Sequence, residues 1–501
     1  MTDTICALAT APGGALGIIR VSGPQAFDAV SAISSIHCAS LAPNTIHYTH
    51  IVEYNAVSQH STPIVEYNAV SQHSTPIVEY NAVPQHSTPI VEYNAVSQHS
   101  TPIDEVLVSI FRSPHSYTGE DSVEISCHGS RYILNKVLTL LTTHGCRMAE
   151  PGEFTMRAYL NGKMDLSQAE AVADLIASTN KATHDIALSQ LRGHFSSELK
   201  TLRDQLLKLT TLLELELDFS DHEDLEFADR TELMQLAQTI NTRITRLARS
   251  FETGQALKQG IPVAIIGKTN VGKSTLLNAL LKDERAIVSD IHGTTRDTIE
   301  DTIDIRGVTF RFIDTAGIRQ TTDSIEQIGI DRTYQAISKA RIVLWLLDAI
   351  PTESEIADIT ARCEGRTLLP VWNKSDLHPV QSNSLFRSVC GCATATLPLP
   401  ISAKHGQGLD ALEAAIYKAA NIPDFTDTDV IVTSARQYDS LIHAHDNIAR
   451  VLSGLQLNLS GDIISEDLRL VLSDLAEITG KGQITPQDTL NNVFKNFCVG
   501  K

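Results

Sequence analysis

Residues 267–274 read Gly-Lys-Thr-Asn-Val-Gly-Lys-Ser, between an apolar run that starts at Pro262 and a helix expected over Thr275–Leu281. Glycines at such positions let backbone N–H groups close on phosphate oxygens, and the following helix N-terminus favours an anion. Lys273 can then span the β- and γ-phosphates, and the Ser274 hydroxyl can ligate magnesium. Further on, an alternating strand from Val308 ends in Asp314, Thr315, Ala316 and Gly317. Asp314 can reach the magnesium shell, and the Gly317 N–H can sense the γ-phosphate. Asn373, Lys374, Ser375 and Asp376 follow another apolar segment. The Asp376 carboxylate can accept from the N1–H and the 2-amino group of guanine, a pairing adenine cannot supply. Ser402, Ala403 and Lys404 fit the remaining guanine loop. The order and spacing of these segments imply a GTP site.

Many such sites place Gln directly after the Asp-Thr-Ala-Gly segment to orient the attacking water. Here that position is Ile318, whose side chain cannot hydrogen-bond. The orienting group must come from elsewhere or from a partner, or hydrolysis must be slow. Glu326 lies in the segment that would form the second switch. It reads either as an ordinary surface carboxylate or as the group that supplies what Ile318 lacks.

The flanking elements divide the chain. Short strands are expected at Ile5–Ala9 and Gly17–Val21, a helix at Gln25–Ile33, strands at Val106–Phe111 and Val123–Ser126, and a helix at Tyr132–Thr142. Residues 1–160 therefore read as an α+β domain. Long helices follow over 161–258, where Phe195, Leu199, Leu202, Leu206, Leu209 and Leu213 fall on one stripe. That stripe suits either bundle packing or a short coiled-coil seam. Residues 259–424 read as an α/β domain inserted into the helical region, with Ile342–Leu347 as a buried parallel strand. Helices resume near Ser434 and run almost to the end of a last segment, 425–501. There Leu468, Val471, Leu472, Leu475 and Ile478 share a face, and Gly480 offers a stop. The fold class expected is a multidomain one: an N-terminal α+β domain, a helical bundle and an inserted Ras-like P-loop domain.

A thirteen-residue unit recurs from Ile51, Ile64, Ile77 and Ile90, altered only by Pro84 where the other copies carry Ser58, Ser71 and Ser97. Near-identity suggests duplication rather than a solenoid, and places an extended surface loop between strands near His47–Tyr54 and Glu105–Phe111. Duplication also explains the spacing of His60, His73, His86 and His99 without a metal.

The formal charge of −19, from 40 basic and 59 acidic residues, argues against a protein that coats nucleic-acid phosphates broadly. It leaves room for a local nucleic-acid site. No run reaches the 18 or so apolar residues of a membrane span. The first residues lack the basic start of a secretory signal. Eight irregularly spaced cysteines do not form a disulfide framework, and the Cys390–Cys392 pair has no second pair to complete a zinc site. A cytoplasmic protein is expected.

With these features in place, the whole chain apart from the duplicated segment resembles the MnmE (TrmE) family of tRNA-modification GTPases. The resemblance rests on the nucleotide motifs inside a helical region and on the run Ala286–Asp297. It rests also on Gly17–Gly23, Tyr117–Asp121, Cys127–Gly129, Pro151–Phe154 and the end Phe497–Lys501. It implies a potassium-stimulated GTPase whose G domains pair across the nucleotide. The GTP-binding set it implies runs through Asn270, Val271, Gly272, Lys273, Ser274 and Thr275. It continues through Ser289, Asp290, Ile291, His292, Gly293, Thr294 and Thr295, then the Asp314–Gly317, Asn373–Asp376 and Ser402–Lys404 segments.

By the same resemblance, Ser274 and Thr295 complete a magnesium shell. Asn270, Ser289, Ile291 and Thr294 surround potassium, which takes the place of an arginine finger. Glu326 positions the water. The implied role is formation of carboxymethylaminomethyl or aminomethyl groups at the wobble uridine of tRNA, with an FAD-dependent MnmG-type partner that also handles NADH. A tetrahydrofolate one-carbon donor falls by position on Arg20, Glu124, Lys163 and Lys501, in an N-terminal domain that makes a homodimer. Cys498 suits either a thiol nucleophile or a buried structural role. A GTP-regulated ribosome-assembly switch is the rival reading, and an adhesive module built on the repeat is a third.

Overall fold

In the computed structural model, residues 3–54, 100–218, 230–282, 301–313, 334–378, 398–422, 430–480, 490, 493–495, 497 and 500 are described. The chain divides into two compact units, Met1–Met164 with Pro486–Lys501, and Asp165–Thr485.

In the first unit, alternation of β-branched and polar residues builds a six-stranded sheet. Its strands are β1 (Thr4–Leu8), β2 (Leu16–Ser22), β3 (Thr45–Tyr54), β4 (Ser100–Phe111), β5 (Ser122–His128) and β6 (Cys146–Met148). The order is β3-β4-β5-β2-β1-β6, antiparallel except where β1 meets β6. Val106, Val108 and Ile110 of β4 and Val123, Ile125 and Cys127 of β5 point to one face, as a period of two requires. That face is covered by α1 (Ala26–Ser31) and α2 (Arg131–Thr143), through Phe27, Val30, Leu134, Val137 and Leu141. A third helix, α3 (Glu153–Leu160), starts at Gly152.

The duplicated segment connects β3 to β4. Its ends are paired, with Val52 opposite Pro102 and Glu53 opposite Thr101. The loop expected between them lies outside the described residues.

The second unit holds a helical bundle and a sheet. Helices α4 (Leu166–Ala177) and α5 (Lys181–Leu191) lead into α6 (His194–Asp218) and α7 (Arg230–Gln259). The α6 stripe from Phe195 to Leu213 is buried. It joins Leu233, Ile240 and Ile244 of α7 in one apolar core, which settles the stripe as bundle packing.

From α7 the chain passes directly into β7 (Ile261–Ile266), then α8 (Lys273–Lys282), β8 (Asp301–Ile305), β9 (Val308–Phe312) and β10 (Ile342–Leu347). After these come α9 (Glu353–Arg362), β11 (Thr367–Trp372), β12 (Leu399–Pro400) and α10 (Leu409–Ala419). The sheet order is β12-β11-β10-β7-β9-β8, parallel except for β8. Every residue of β10 is buried, as a strand covered on both faces must be. The chain returns to α7 at residues 430–433: the Ser250 hydroxyl accepts from the Val432 N–H at 3.0 Å, and Gln255 Nε2 donates to the Thr433 carbonyl at 2.8 Å. Entry and exit of the sheet thus lie against the same end of one helix, the geometry of an inserted domain. The chain is multidomain: an α+β N-terminal region, a helical bundle and an inserted P-loop α/β fold.

The helical stretch expected from Ser434 is interrupted. Asn458 adopts a left-handed backbone (φ 51°) between α11 (Ala435–Gln456) and α12 (Gly461–Thr479). Leu468, Val471, Leu475 and Ile478 of α12 enter the bundle core, and Leu472 packs at its edge. Gly480 ends α12 with φ 68°. Beyond it, Pro486–Lys501 groups with the first unit rather than with the bundle. There Phe494 and Phe497 are buried and lie against Gly152, where a Cβ would come within 2.9 Å of Phe497 Cβ.

Candidate functional site

The loop 267–272 joins β7 to α8 at the carboxyl ends of the parallel strands, where open α/β sheets bind ligands. Its backbone alternates through unusual conformations, with φ of 149° at Gly267, 61° at Asn270 and 103° at Gly272. Such alternation turns successive N–H groups toward one concavity. Gly272 has a second constraint, since a Cβ there would stand 2.3 Å from Asn373 Nδ2. The Lys273 ammonium folds back over the loop and donates to the carbonyls of Gly267 and Lys268, both at 2.8 Å. Burial pushes its pKa down from the ordinary lysine value. Ser274 and Thr275 follow in the first turn of α8.

Asn373 ties three segments together. Its backbone N–H donates to Leu347 at the end of β10 (2.7 Å), and its Nδ2 donates to the Val271 carbonyl (2.8 Å). Its Oδ1 accepts from the Ala403 N–H at 3.1 Å. The phosphate loop and both guanine-type loops therefore share one buried amide. Lys374, left-handed at φ 59°, extends the same link: its ammonium donates to the Asn270 carbonyl (3.0 Å) and pairs with Asp348 (2.8 Å). The Ser375 N–H donates to the Ile401 carbonyl at 3.1 Å.

Asp376 is exposed, with His405 Nε2 3.7 Å from its carboxylate. The Ser402 hydroxyl beside it, with lesser help from His405 and Lys404, holds its carboxyl below the ordinary aspartate value. An ionised acceptor there suits a base edge made of donors. Lys268 reaches away from the loop to Glu355 of α9, 2.7 Å distant.

Segments 267–275, 373–376 and 402–404 are thus brought together. Ser289, Asp290, Ile291, His292, Gly293, Thr294 and Thr295 lie outside the described residues, as do Asp314, Thr315, Ala316, Gly317 and Glu326. Asp348 was not legible as a partner of this site, because one aspartate after a buried strand carries no pattern.

A second cluster occupies the first unit. Arg20 of β2 and Glu124 of β5 face each other in register and pair at 2.8 Å. The Arg20 guanidinium lies 5.4 Å from the Tyr117 ring centroid and 5.7 Å from that of Phe154. Lys163 donates to the Pro114 carbonyl at 2.9 Å, so loop 113–121 touches two of the three cations expected there. Lys501 lies outside the described residues.

Behind this loop is an ion network that motif reading missed. Arg157 of α3, fully buried, pairs with Asp3 (2.9 Å), Glu153 (3.0 Å) and Glu120 (3.2 Å); Arg147 binds Asp3 and Glu153 as well. Burial alone would raise the Glu153 carboxyl, but Arg147, the Glu150 N–H and Arg157 outweigh it and hold it below the ordinary glutamate value. Arg147, and secondarily Arg157, hold Asp3 low against a smaller effect of burial. Glu153 falls within the Pro151–Phe154 run, the one sequence signal that could have pointed here.

Two family models match: the GTP-binding protein TrmE N-terminus over residues 4–163, and the MnmE helical domain over 166–498. The tRNA modification GTPase MnmE of Phocaeicola vulgatus is 52% identical, covering 100% of this chain and 99% of that one. Its counterpart in Bacteroides fragilis is 49% identical, again over 100% and 99%. Among solved structures, the G domain of the T. maritima FeoB iron transporter is 24% identical, covering 32% of this chain and 98% of that one, with a TM-score of 0.24. With relatives this similar over its full length, and models covering both its α+β and its helical regions, the chain belongs to the MnmE (TrmE) family of tRNA-modification GTPases.

Proposed function

We propose that this chain hydrolyses GTP to drive formation of carboxymethylaminomethyl or aminomethyl groups at C5 of the tRNA wobble uridine, together with an FAD-dependent MnmG-type partner. The observation that carries the GTP reading is Asn373, which ties the phosphate loop to the Ala403 loop through one side chain.

In this reading Lys273 exchanges its two loop carbonyls for phosphate oxygens, and Asp376 accepts from guanine. Asp314 would reach the magnesium shell, and the Gly317 N–H would sense the γ-phosphate. Ser274 and Thr295 would hold Mg2+. Asn270, Ser289, Ile291 and Thr294 would hold K+, and the Asn270 carbonyl already bonds to Lys374, which leaves its side chain as the donor facing a cation. Bound there, the two cations supply positive charge where the transition state gathers negative charge. Glu326 would orient the water, replacing the side chain that Ile318 lacks. A facing G domain of a second copy would close the site.

The paired Arg20 and Glu124, with Lys163 and Lys501, suit a tetrahydrofolate, since they offer donors and an acceptor to the pterin and cations to its carboxylates. FAD and NADH would act only through the partner. We further propose a division of labour among 1–160 with 486–501 (folate and dimer contacts), 161–258 with 425–485 (helical scaffold) and 259–424 (G domain), within a cytoplasmic homodimer that joins the FAD partner on tRNA. No helix among the described residues is long and apolar enough to cross a membrane.

The test is wobble-nucleoside analysis of tRNA from a strain lacking this protein, beside turnover of the purified protein in potassium and in sodium. Modified uridines should disappear and return with the gene, and Glu326→Ala should bind GTP yet lose potassium-stimulated turnover. Normal uridines with accumulating ribosomal precursors would instead favour the ribosome-assembly switch.

A further inference from the structure

The end of the chain is built into the cluster around Arg20. Phe494 and Phe497, both buried, stand 5.2 Å apart by ring centroid. Three residues after Phe497, the Gly500 carbonyl accepts from Arg20 Nη1 at 3.1 Å. The same guanidinium donates through Nε to Glu124 at 2.9 Å. Two acceptors on different sides of one planar group leave it little freedom to turn.

Gly500 can make this bond only as glycine. Its φ is 94°, in the left-handed region, and a Cβ there would stand 2.3 Å from the Leu8 carbonyl and 3.0 Å from Ala9 Cα. Both obstacles are backbone at the end of β1, so neither can swing aside. The backbone of residue 500 passes close to the end of one strand in order to reach an arginine on the next.

We propose that Gly500 is a positioning residue of the N-terminal site: its carbonyl fixes the orientation in which Arg20 meets an anionic folate ligand, and only a residue without an L-side chain can put it there. The proposal rests on the folate reading of Arg20 and Glu124 given above. It adds a requirement on the chain's penultimate residue that the charges alone do not carry. Gly500 is buried against the end of β1, so the test includes a chain that keeps the backbone conformation while adding a methyl group, which separates the carbonyl's position from general disruption of the fold.

Cys498 makes the decisive experiment practical. A thioester of residues 1–497 can be ligated to a tetrapeptide that begins with this native cysteine, giving full-length chains with Gly, L-Ala or D-Ala at position 500. D-Ala favours positive φ and carries its methyl on the other side of the backbone from the L-Cβ. Titration with tetrahydrofolate under reducing conditions should show about tenfold weaker binding for L-Ala, the scale of one lost charge-assisted hydrogen bond, and near-glycine binding for D-Ala. GTP turnover should match in all three, and thermal unfolding of the D-Ala chain should match that of the glycine chain.

Equal tetrahydrofolate binding by the L-Ala and Gly chains overturns the proposal, and so does equal weakening by L-Ala and D-Ala. If the glycine chain itself fails to bind, or Arg20→Ala binds as tightly as wild type, it is the folate reading that fails.

Discussion

Around Asn373 the loops are joined by neutral bonds: one amide and two backbone carbonyls or N–H groups, with the lysines at the margin. Around Arg157 they are joined by charge, with two guanidiniums set among three carboxylates. The difference is one of what each arrangement must tolerate. A loop that receives a polyanion is better held by groups that keep their hydrogen bonds whatever charge arrives. At the back of loop 113–121, ions lock it through Glu120 and Arg157. Locking by ions makes the arrangement sensitive to losing Arg157, because the Glu153 and Glu120 side chains beside it are largely shielded from water.

The sharpest way to break this contrast is Arg157→Met, which takes the guanidinium from Glu120 and leaves Glu153 to Arg147 alone. We expect a loss of about 3–5 kcal/mol from the first unit. Denaturation followed by hydrogen exchange should place the loss in residues 3–164, with GTP turnover by the second unit retained at temperatures below the new transition. Turnover lost in step with that transition would mean the two regions are not separable in this way.

The same network predicts a response to acid. Glu153 and Asp3 have folded-state pKa values below their unfolded ones. Their stabilisation is therefore complete above the ordinary carboxylate range, near pH 4, and is lost as pH falls through the lower folded values. Melting followed from neutral pH down to pH 3 should show the first unit weakening before the second. Uniform weakening would count against the network as the cause.

An effect of comparable size is expected of Asn373→Ala. It leaves the Val271 carbonyl and the Ala403 N–H without their shared partner, at about 1–3 kcal/mol each where no water replaces it. Nucleotide affinity should fall for GDP and GTP alike, since the loops rather than a single phosphate contact are loosened; a selective loss of GTP would contradict the rivet role. The smallest effect should come from Lys268→Ala. Its ion pair with Glu355 is largely exposed, which limits it to about 0–1 kcal/mol, and thermal melting should barely shift.

The two regions also differed in how much could be read before the structure. Segments 267–275, 373–376 and 402–404 are each local runs whose spacing constrains chemistry, and the structure brings them to one place. The strands of the first unit and the stripe on α6 announced themselves by periods of two and of 3.6. Arg157 did not, because its partners lie at Asp3, Glu120 and Glu153, and only the last is at helical spacing. The turn at Asn458 was missed for another reason. Leu457 and Leu459 continue an apolar pattern while the left-handed backbone at Asn458 stops the helix. Contacts such as that of Gly500 with Arg20 span nearly the whole chain, and no local pattern encodes them.

One contact in the second unit reaches beyond packing. At the start of α5, Asn180 Nδ2 donates to Thr309 Oγ1 at 2.8 Å, and the Ala182 N–H donates to the Gly307 carbonyl at 2.9 Å. Both acceptors sit on the β8–β9 hairpin, which in sequence lies between the 289–295 and 314–317 segments. The bundle therefore grips the sheet at a second point, away from the neck at α7. Any tilt of the sheet edge away from α5 would have to release both bonds. Amide exchange at Ala182 is the signal in which such a release would first be heard.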